Sequence, residues 1–331
     1  MQLVRSHPRR PGLAVEATGL VKKFGDVRAV DGIDLEIHRG QVFGVLGPNG
    51  AGKTTMLKML ATLLPIDGGT AHIFGVDVAA TPHQVRQLVG VTGQYASVDE
   101  NLTGRENLFL FGRLLGLSRK QAHETADELL ASFGLSEAAD RQIEGFSGGM
   151  RRRLDLAASL IRRPPLIFLD EPTTGLDPRT RGQMWETIRK LVRDGATVLL
   201  TTQYLDEADQ LADRIAVIDR GTKVAEGTPD ELKAGGGNST LHVRLTDRER
   251  TAEAAALVER VLGEQPVLTP EAGGLNIALV DANRAADVLI AFREVKLGIS
   301  TASVRQPTLD EVFLALTGHH SSADDAKAEV R

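Results

Sequence analysis

The sequence predicts an α/β protein: a doubly wound, mostly parallel sheet with an antiparallel edge and a helical subdomain, then a small α+β domain of ferredoxin-like order. Three observations predict it. From residue 42 to about 232, short apolar runs suited to strands buried on both faces alternate with helical patterns. A glycine-rich segment, Gly47 to Thr55, joins the first of these runs to the first of these helices. Beyond the flexible linker Gly235-Gly236-Gly237-Asn238-Ser239, the pattern becomes strand, helix, two strands, helix, strand.

In chain order, residues 1–12 carry Arg5, His7, Arg9 and Arg10 with no apolar segment after them, so they read as a flexible tail and not a signal peptide. Leu13–Ala17 and Leu20–Gly25 read as short strands, and Ile33–Ile37 alternates apolar and polar as a half-buried strand does. Phe24, beside Gly25 in polar surroundings, fits either core filling or a platform for a base, and position alone favours the core.

After the strand Val42–Leu46 comes Gly47-Pro48-Asn49-Gly50-Ala51-Gly52-Lys53-Thr54-Thr55, the G-x-x-x-x-G-K-[ST] pattern, opening a helix expected to reach Leu64. The glycines let successive N–H groups turn inward as a nest for phosphate oxygens, and the helix adds its free N–H groups and dipole. Lys53 offers a full charge to the outer phosphates and Thr54 a hydroxyl to Mg²⁺. An ordinary glycine turn would not need this strand, loop, helix order.

Downstream, a strand is expected at 71–74 and a helix capped by Thr81 with Pro82 at its first position. A strand at 89–92 leads to Gln94 in a loop. Thr103-x-x-Glu106 and Ser118-x-x-Gln121 are capping boxes for two helices of about 14 residues. Ser147-Gly148-Gly149 precedes another helix, with Leu154, Ala157, Ala158 and Ile161 on one face. Its N-terminus is a second potential anion site, and Arg151, Arg152 and Arg153 read as its solvated side. Leu166–Leu169 is a buried strand ending in Asp170 and Glu171, a place where one carboxylate can hold Mg²⁺ and another can act on water. Asp177 caps a helix opened by Pro178, which carries Trp185, Ile188 and Val192. Residues 196–200 form a buried strand ending near Gln203, and 215–218 with 223–225 a hairpin-like edge.

Beyond the linker, strands are expected at 240–246, 266–269, 275–280 and 299–305, with helices at 249–262, 283–296 and 308–317. In the last helix Thr308 and Glu311 form a capping box and Gly318 ends it. Leu309, Val312, Phe313 and Leu316 share one face, which packs either in the small domain's own core or on the larger domain or its twin. From residue 319 the chain is polar and expected to be disordered.

Composition narrows the function. The net charge of −5 gives no general basic field for nucleic acid, and the absence of cysteine excludes disulfides and thiolate metal sites. No apolar run approaches the ~18 residues of a membrane span. A membrane process would require another chain.

Taken together, these motifs resemble the ATP-binding subunit of ABC transporters over residues 13–232. Gly47–Thr55 matches Walker A, Gln94 the Q-loop, Ser147-Gly148-Gly149-Met150 the signature, Asp170-Glu171 Walker B with its adjoining acid, and Gly175-Leu176-Asp177 the D-loop. Phe24 falls where the family stacks an aromatic on adenine, which reverses the preference for core. The family's switch histidine is replaced by Gln203. The run 201–209, Thr-Thr-Gln-Tyr-Leu-Asp-Glu-Ala-Asp, and the segment from Gln306 to Phe313 are similar to the daunorubicin-resistance ATP-binding branch.

The resemblance implies an ATPase that powers efflux of a hydrophobic drug or related compound through a separate permease, peripheral to the cytoplasmic face of the membrane. An importer subunit and a soluble non-transport ATPase are the alternatives. The resemblance also implies that Thr54, Gln94 and Asp170 order Mg²⁺, Glu171 acts on water and Gln203 places the γ-phosphate. Ser147, Gly148, Gly149 and Asp177 would then serve the nucleotide of a head-to-tail twin, since one P-loop leaves the second anion site unused. Expected bounds are an ATPase domain at 13–234 with its helical subdomain at about 97–163, a linker at 235–239 and a regulatory or assembly domain at 240–318.

Overall fold

The computed structural model describes residues 12–93, 98–235, 239–269, 273–305 and 307–317. The expected tails, apart from Gly12, lie outside the described residues, as do Gln94, Gln306 and Gly318. The chain divides into two compact units, Met1–Thr228 and Pro229–Arg331.

The first unit opens with β1 (Leu13–Phe24) and β2 (Val27–His38), paired antiparallel. The two short strands expected before Gly25 are one strand whose register shifts, among other places, between Ala17 and Leu20, so the bulge breaks its alternation without ending its pairing. Next come β3 (Val42–Leu46) and α1 (Lys53–Leu60), the latter ending four residues before Leu64. Thr62, with φ of 61°, has already left the helical conformation. β4 (Gly68–Ile73), β5 (Val76–Asp77), α2 (Pro82–Leu88) and β6 (Val89–Thr92) follow. The Thr81 side chain does not cap α2. Its hydroxyl donates instead to the Asp77 carbonyl at 2.9 Å, so the oxygen is turned back into the preceding turn.

α3 (Gly104–Leu114) and α4 (Arg119–Ser132) begin at Thr103 and Ser118 with both capping boxes formed, and α3 is 11 residues long where about 14 were expected. α5 (Gly148–Ser159), β7 (Leu166–Asp170), α6 (Pro178–Arg193), β8 (Thr197–Thr202), α7 (Leu205–Leu211), β9 (Arg214–Asp219) and β10 (Thr222–Gly227) complete the unit.

A six-stranded sheet has the order β10-β9-β3-β8-β7-β6, parallel except for the antiparallel edge strand β10. β2-β1-β4-β5 form a separate antiparallel sheet. α1 fills the space between the two: Met56, Leu57, Met59 and Leu60 pack in one core with Ile33, Leu35, Val45, Phe168 and Leu199. On the other face of the parallel sheet, Leu130, Leu154, Leu156, Met184 and Ile188 pack against Ile167, Leu169, Val198 and Leu200. Alternate residues of β7 therefore enter opposite cores, which is why the strand is apolar throughout.

The second unit begins earlier than the expected linker. It contains α8 (Pro229–Gly235), β11 (Ser239–Leu245), α9 (Thr251–Leu262), β12 (Val267–Leu268), β13 (Gly274–Leu279), α10 (Ala285–Glu294), β14 (Ile299–Arg305) and α11 (Leu309–Thr317). The sheet order β12-β13-β11-β14, antiparallel throughout, is the ferredoxin-like arrangement. α9 and α10 bury Leu257, Val258, Val288 and Phe292 against Leu241, Val243 and Ile277. α11 starts on its capping box: the Thr308 N–H donates to Glu311 Oε2 at 2.8 Å and the Glu311 N–H to Thr308 Oγ1 at 3.3 Å. α11 packs on α8, and Leu232, Leu309 and Val312 are buried while Leu316 is exposed. Among the described residues no helix is long and apolar enough to cross a membrane.

Because Phe292 is fully buried in a core confined to the second unit, Phe292→Ala should destabilise that unit by about 3–5 kcal/mol. Calorimetry should show its transition moving alone, with nucleotide affinity at the parental value.

Candidate functional site

The register of the parallel sheet assembles the site. Leu46 lies opposite Thr202, and Asp170 opposite Thr201. The glycine loop after β3, Gln203 after β8 and Asp170-Glu171 at the end of β7 thus leave three adjacent strands at the same end, where open α/β sheets bind ligands. The loop can take no other residue at two points. A Cβ on Gly47 would fall 2.2 Å from the Ile218 carbonyl oxygen. Gly52 has φ of +103°, and a Cβ there would fall 2.2 Å from the Ala29 carbonyl oxygen. Asn49 and Gly50 face solvent, Pro48, Thr54 and Thr55 are partly buried, and Ala51 is buried.

Lys53 is buried at the root of this loop. Its Nζ donates to the carbonyls of Gly47 (2.8 Å) and Pro48 (3.0 Å) and lies 3.8 Å from Glu171 Oε1. Burial pulls its pKa below the ordinary lysine value, with the charges of Glu171 and Asp170 acting the other way. Thr54 Oγ1 donates to Asp170 Oδ1 at 2.9 Å, and Thr201 Oγ1 donates to the same oxygen at 2.6 Å. A hydroxyl and a carboxylate side by side are hard oxygen donors of the kind Mg²⁺ takes when phosphates and waters fill the rest of its shell, so these residues fit that ion.

Glu171 follows directly and is bent out of the strand conformation, with φ of 49°. Its N–H donates to the Thr201 carbonyl at 3.1 Å, and Thr174 Oγ1 donates to its Oε2 at 3.2 Å. Gln203, half-buried, directly follows β8, the strand between those that lead into the loop and into this acid. Gln94 lies outside the described residues. Phe24 ends β1 with 50% of its surface exposed and Lys22 Nζ 5.6 Å from its ring centre, which overturns the core assignment made on position alone.

At the start of α5, Ser147 Oγ accepts from the Met150 N–H at 3.3 Å, and Ser147 and Gly148 are exposed. Gly149 has a packing reason as well: a Cβ there would fall 2.2 Å from Thr180 Cγ2 on α6. Asp177 caps α6 by accepting from the N–H groups of Arg179 and Thr180, both at 3.0 Å. Its bond from the Thr180 hydroxyl, first among these contacts, holds its pKa below the ordinary carboxylate value.

Two side chains of the site escaped the sequence reading. Arg152 is not on a solvated face; its guanidinium is turned inward onto the carbonyls of Gly93, Asp170, Glu171 and Pro172. The signal for it was Leu156, an apolar residue one turn on and off the expected face of α5. Glu207, on α7, is buried and accepts from Thr173 Oγ1 at 2.8 Å and the Trp185 indole N–H at 3.3 Å. Burial raises its pKa, opposed by those bonds. Its position beside Ala208 and one turn before Leu211 marked it as inward-facing.

A glycine loop, a buried lysine and a paired acidic strand end, converging at the carboxyl end of a parallel sheet, define a P-loop nucleotide-hydrolysing domain. A family model described as ABC transporter matches residues 30–174. The chain is 54% identical to the daunorubicin/doxorubicin resistance ATP-binding protein of Streptomyces peucetius over 320 residues, which cover 97% of this chain and 96% of that protein. It is 45% identical to the Nod factor export ATP-binding protein I of Burkholderia lata over 222 residues, covering 67% of this chain and 73% of that one. Among solved structures, a dimeric ATP-binding cassette bound to ADP and phosphate after hydrolysis aligns with a TM-score of 0.59 at 26% identity, covering 65% of this chain and 98% of that one. The chain belongs to the ABC transporter family, in its daunorubicin-resistance ATP-binding branch, as an ATP-binding and ATP-hydrolysing subunit.

Gly52→Ala combines a left-handed backbone with a steric clash. Strain of about 1–3 kcal/mol corresponds to an ATP affinity lower by about 5- to 150-fold. Titration with a fluorescent ATP analogue should show that loss.

Proposed function

We propose that this chain powers an exporter of hydrophobic drugs or related compounds by binding and hydrolysing MgATP, alongside a separate polytopic permease. One observation carries the site assignment: the glycine loop, Gln203 and Asp170-Glu171 occupy the same end of three adjacent strands. The export direction is supported by the Burkholderia relative, a Nod factor export protein, and the drug substrate by the Streptomyces relative, a daunorubicin/doxorubicin resistance protein. In this reading the permease supplies the pathway and this subunit sits at the cytoplasmic face.

In this reading Phe24 stacks on adenine, an aromatic face left half in solvent. The backbone N–H groups of Gly47–Thr55 and the start of α1 receive the phosphates, with Lys53 on the outer ones. Thr54 and Asp170, with Gln94, would hold Mg²⁺, which supplies charge neutralisation on the phosphates. Glu171 orients and deprotonates the attacking water. Gln203 positions the γ-phosphate through its amide, which donates and accepts but carries no charge that titrates near neutrality, unlike histidine. Ser147, Gly148 and Gly149, with Asp177, would complete the partner's site in a head-to-tail homodimer, each nucleotide lying between one loop and the other subunit's α5.

Coexpression with the cognate permease and measurement of drug efflux tests the function. Glu171→Gln should abolish ATP-dependent efflux, cut turnover by about 100-fold or more, bind MgATP normally and accumulate an ATP-bound dimer in light scattering. Efflux that continues unchanged without this chain would sink the exporter reading; near-parental turnover in Glu171→Gln would remove Glu171 as the base.

Ser147→Arg should block hydrolysis while monomer ATP affinity stays parental, because the bulk falls at an exposed helix start. Affinity and turnover measured on one preparation decide it. A parallel loss of both would place Ser147 within its own subunit's fold.

A further inference from the structure

The Arg152 guanidinium touches neither the nucleotide-facing side chains of the loop nor the acid's carboxylate. It lies inside the molecule with 11% of its side chain exposed, one turn into α5. Nε donates to the Pro172 carbonyl at 3.0 Å, Nη2 to the carbonyls of Asp170 (2.9 Å) and Glu171 (3.2 Å), and Nη1 to the carbonyl of Gly93. Asp155 Oδ2 on the same helix lies 3.8 Å from Nη1. The planar fork of five donors suits this task, which a lysine ammonium with three donors cannot reproduce.

The carbonyls it gathers belong to the segment that carries the acid. Glu171 stands at φ of 49°, a left-handed conformation that costs a non-glycine residue about 1–2 kcal/mol. Such a conformation persists only when its surroundings over-determine it. Here the Glu171 N–H is held by Thr201 on β8 and its carbonyl by Arg152 on α5. The bonds go to main-chain oxygens, so Arg152 sets the turn from which the carboxylate projects. Gly93, held by the same guanidinium, is the residue before Gln94.

We propose that Arg152 is a positioning residue for hydrolysis: from the helix that begins at Ser147 it locks the left-handed turn at Glu171, aiming that carboxylate. The proposal rests on Glu171 acting on the water, as assigned above.

The test is a double-mutant cycle in the full-length protein. Arg152→Met keeps the aliphatic volume and removes every donor. It should lower kcat by about 10-fold or more while KM for ATP stays within about twofold. In the Glu171→Gln background the same substitution should lower residual turnover no further, because the carboxylate it aims is gone. Arg152→Lys should recover part of kcat. Parental kcat in Arg152→Met, or an equal further loss in the Glu171→Gln background, would overturn the proposal. Where Arg152→Met does not fold, Arg152→Lys is carried through the same cycle, with a smaller loss of kcat expected and parental or additive behaviour overturning it. Near-parental turnover in Glu171→Gln alone would instead remove the assignment of Glu171, a separately readable failure.

Discussion

One buried carboxylate oxygen, Oδ1 of Asp170, receives the Thr201 hydroxyl from the neighbouring strand and the Thr54 hydroxyl from the helix that follows the glycine loop. A buried carboxylate without such partners would cost several kcal/mol. This one therefore ties β7, β8 and α1 into fixed relation. The glycine loop leads directly into α1, and α1 packs between the two sheets. The site's geometry is thus set by the core as much as by its own loops. Lys53, buried among loop carbonyls and close to Glu171, answers the same need for charge balance from the other side.

The parallel sheet was legible in the sequence because strands buried on both faces write themselves as unbroken apolar runs, as at Val42–Leu46 and Leu166–Leu169. The loop, the paired acids and the capping boxes were legible for a related reason: each is a local arrangement of a few residues. β1 was not, because its bulges interrupt the alternation that a sequence reading follows. Arg152 was misread because α5 was assigned one apolar face, whereas Gly149, Leu154, Asp155, Leu156 and Ala157 bury most of its circumference. The place of α8 was illegible since it depends on packing with α11, far along the chain.

Ser147, Gly148 and Gly149 illustrate how one short run carries separable duties. The serine closes the helix start, the first glycine stands in open space, and the second admits α6 at a distance no side chain would allow. A pattern read as a single binding motif is, residue by residue, a cap, an opening and a packing contact.

Trp185 is the chain's one tryptophan, and there are two tyrosines. Its indole N–H is hydrogen-bonded to Glu207, which also binds Thr173 and lies four residues beyond Gln203. Indole emission follows the polarity and hydrogen bonding around the ring. The unlabelled protein therefore carries a single indole reporter, wired by one carboxylate to the segment after Glu171 and to the helix after Gln203. Excited beyond the tyrosine band, its emission belongs to one place in the fold, so a change can be assigned without mutating a competing tryptophan.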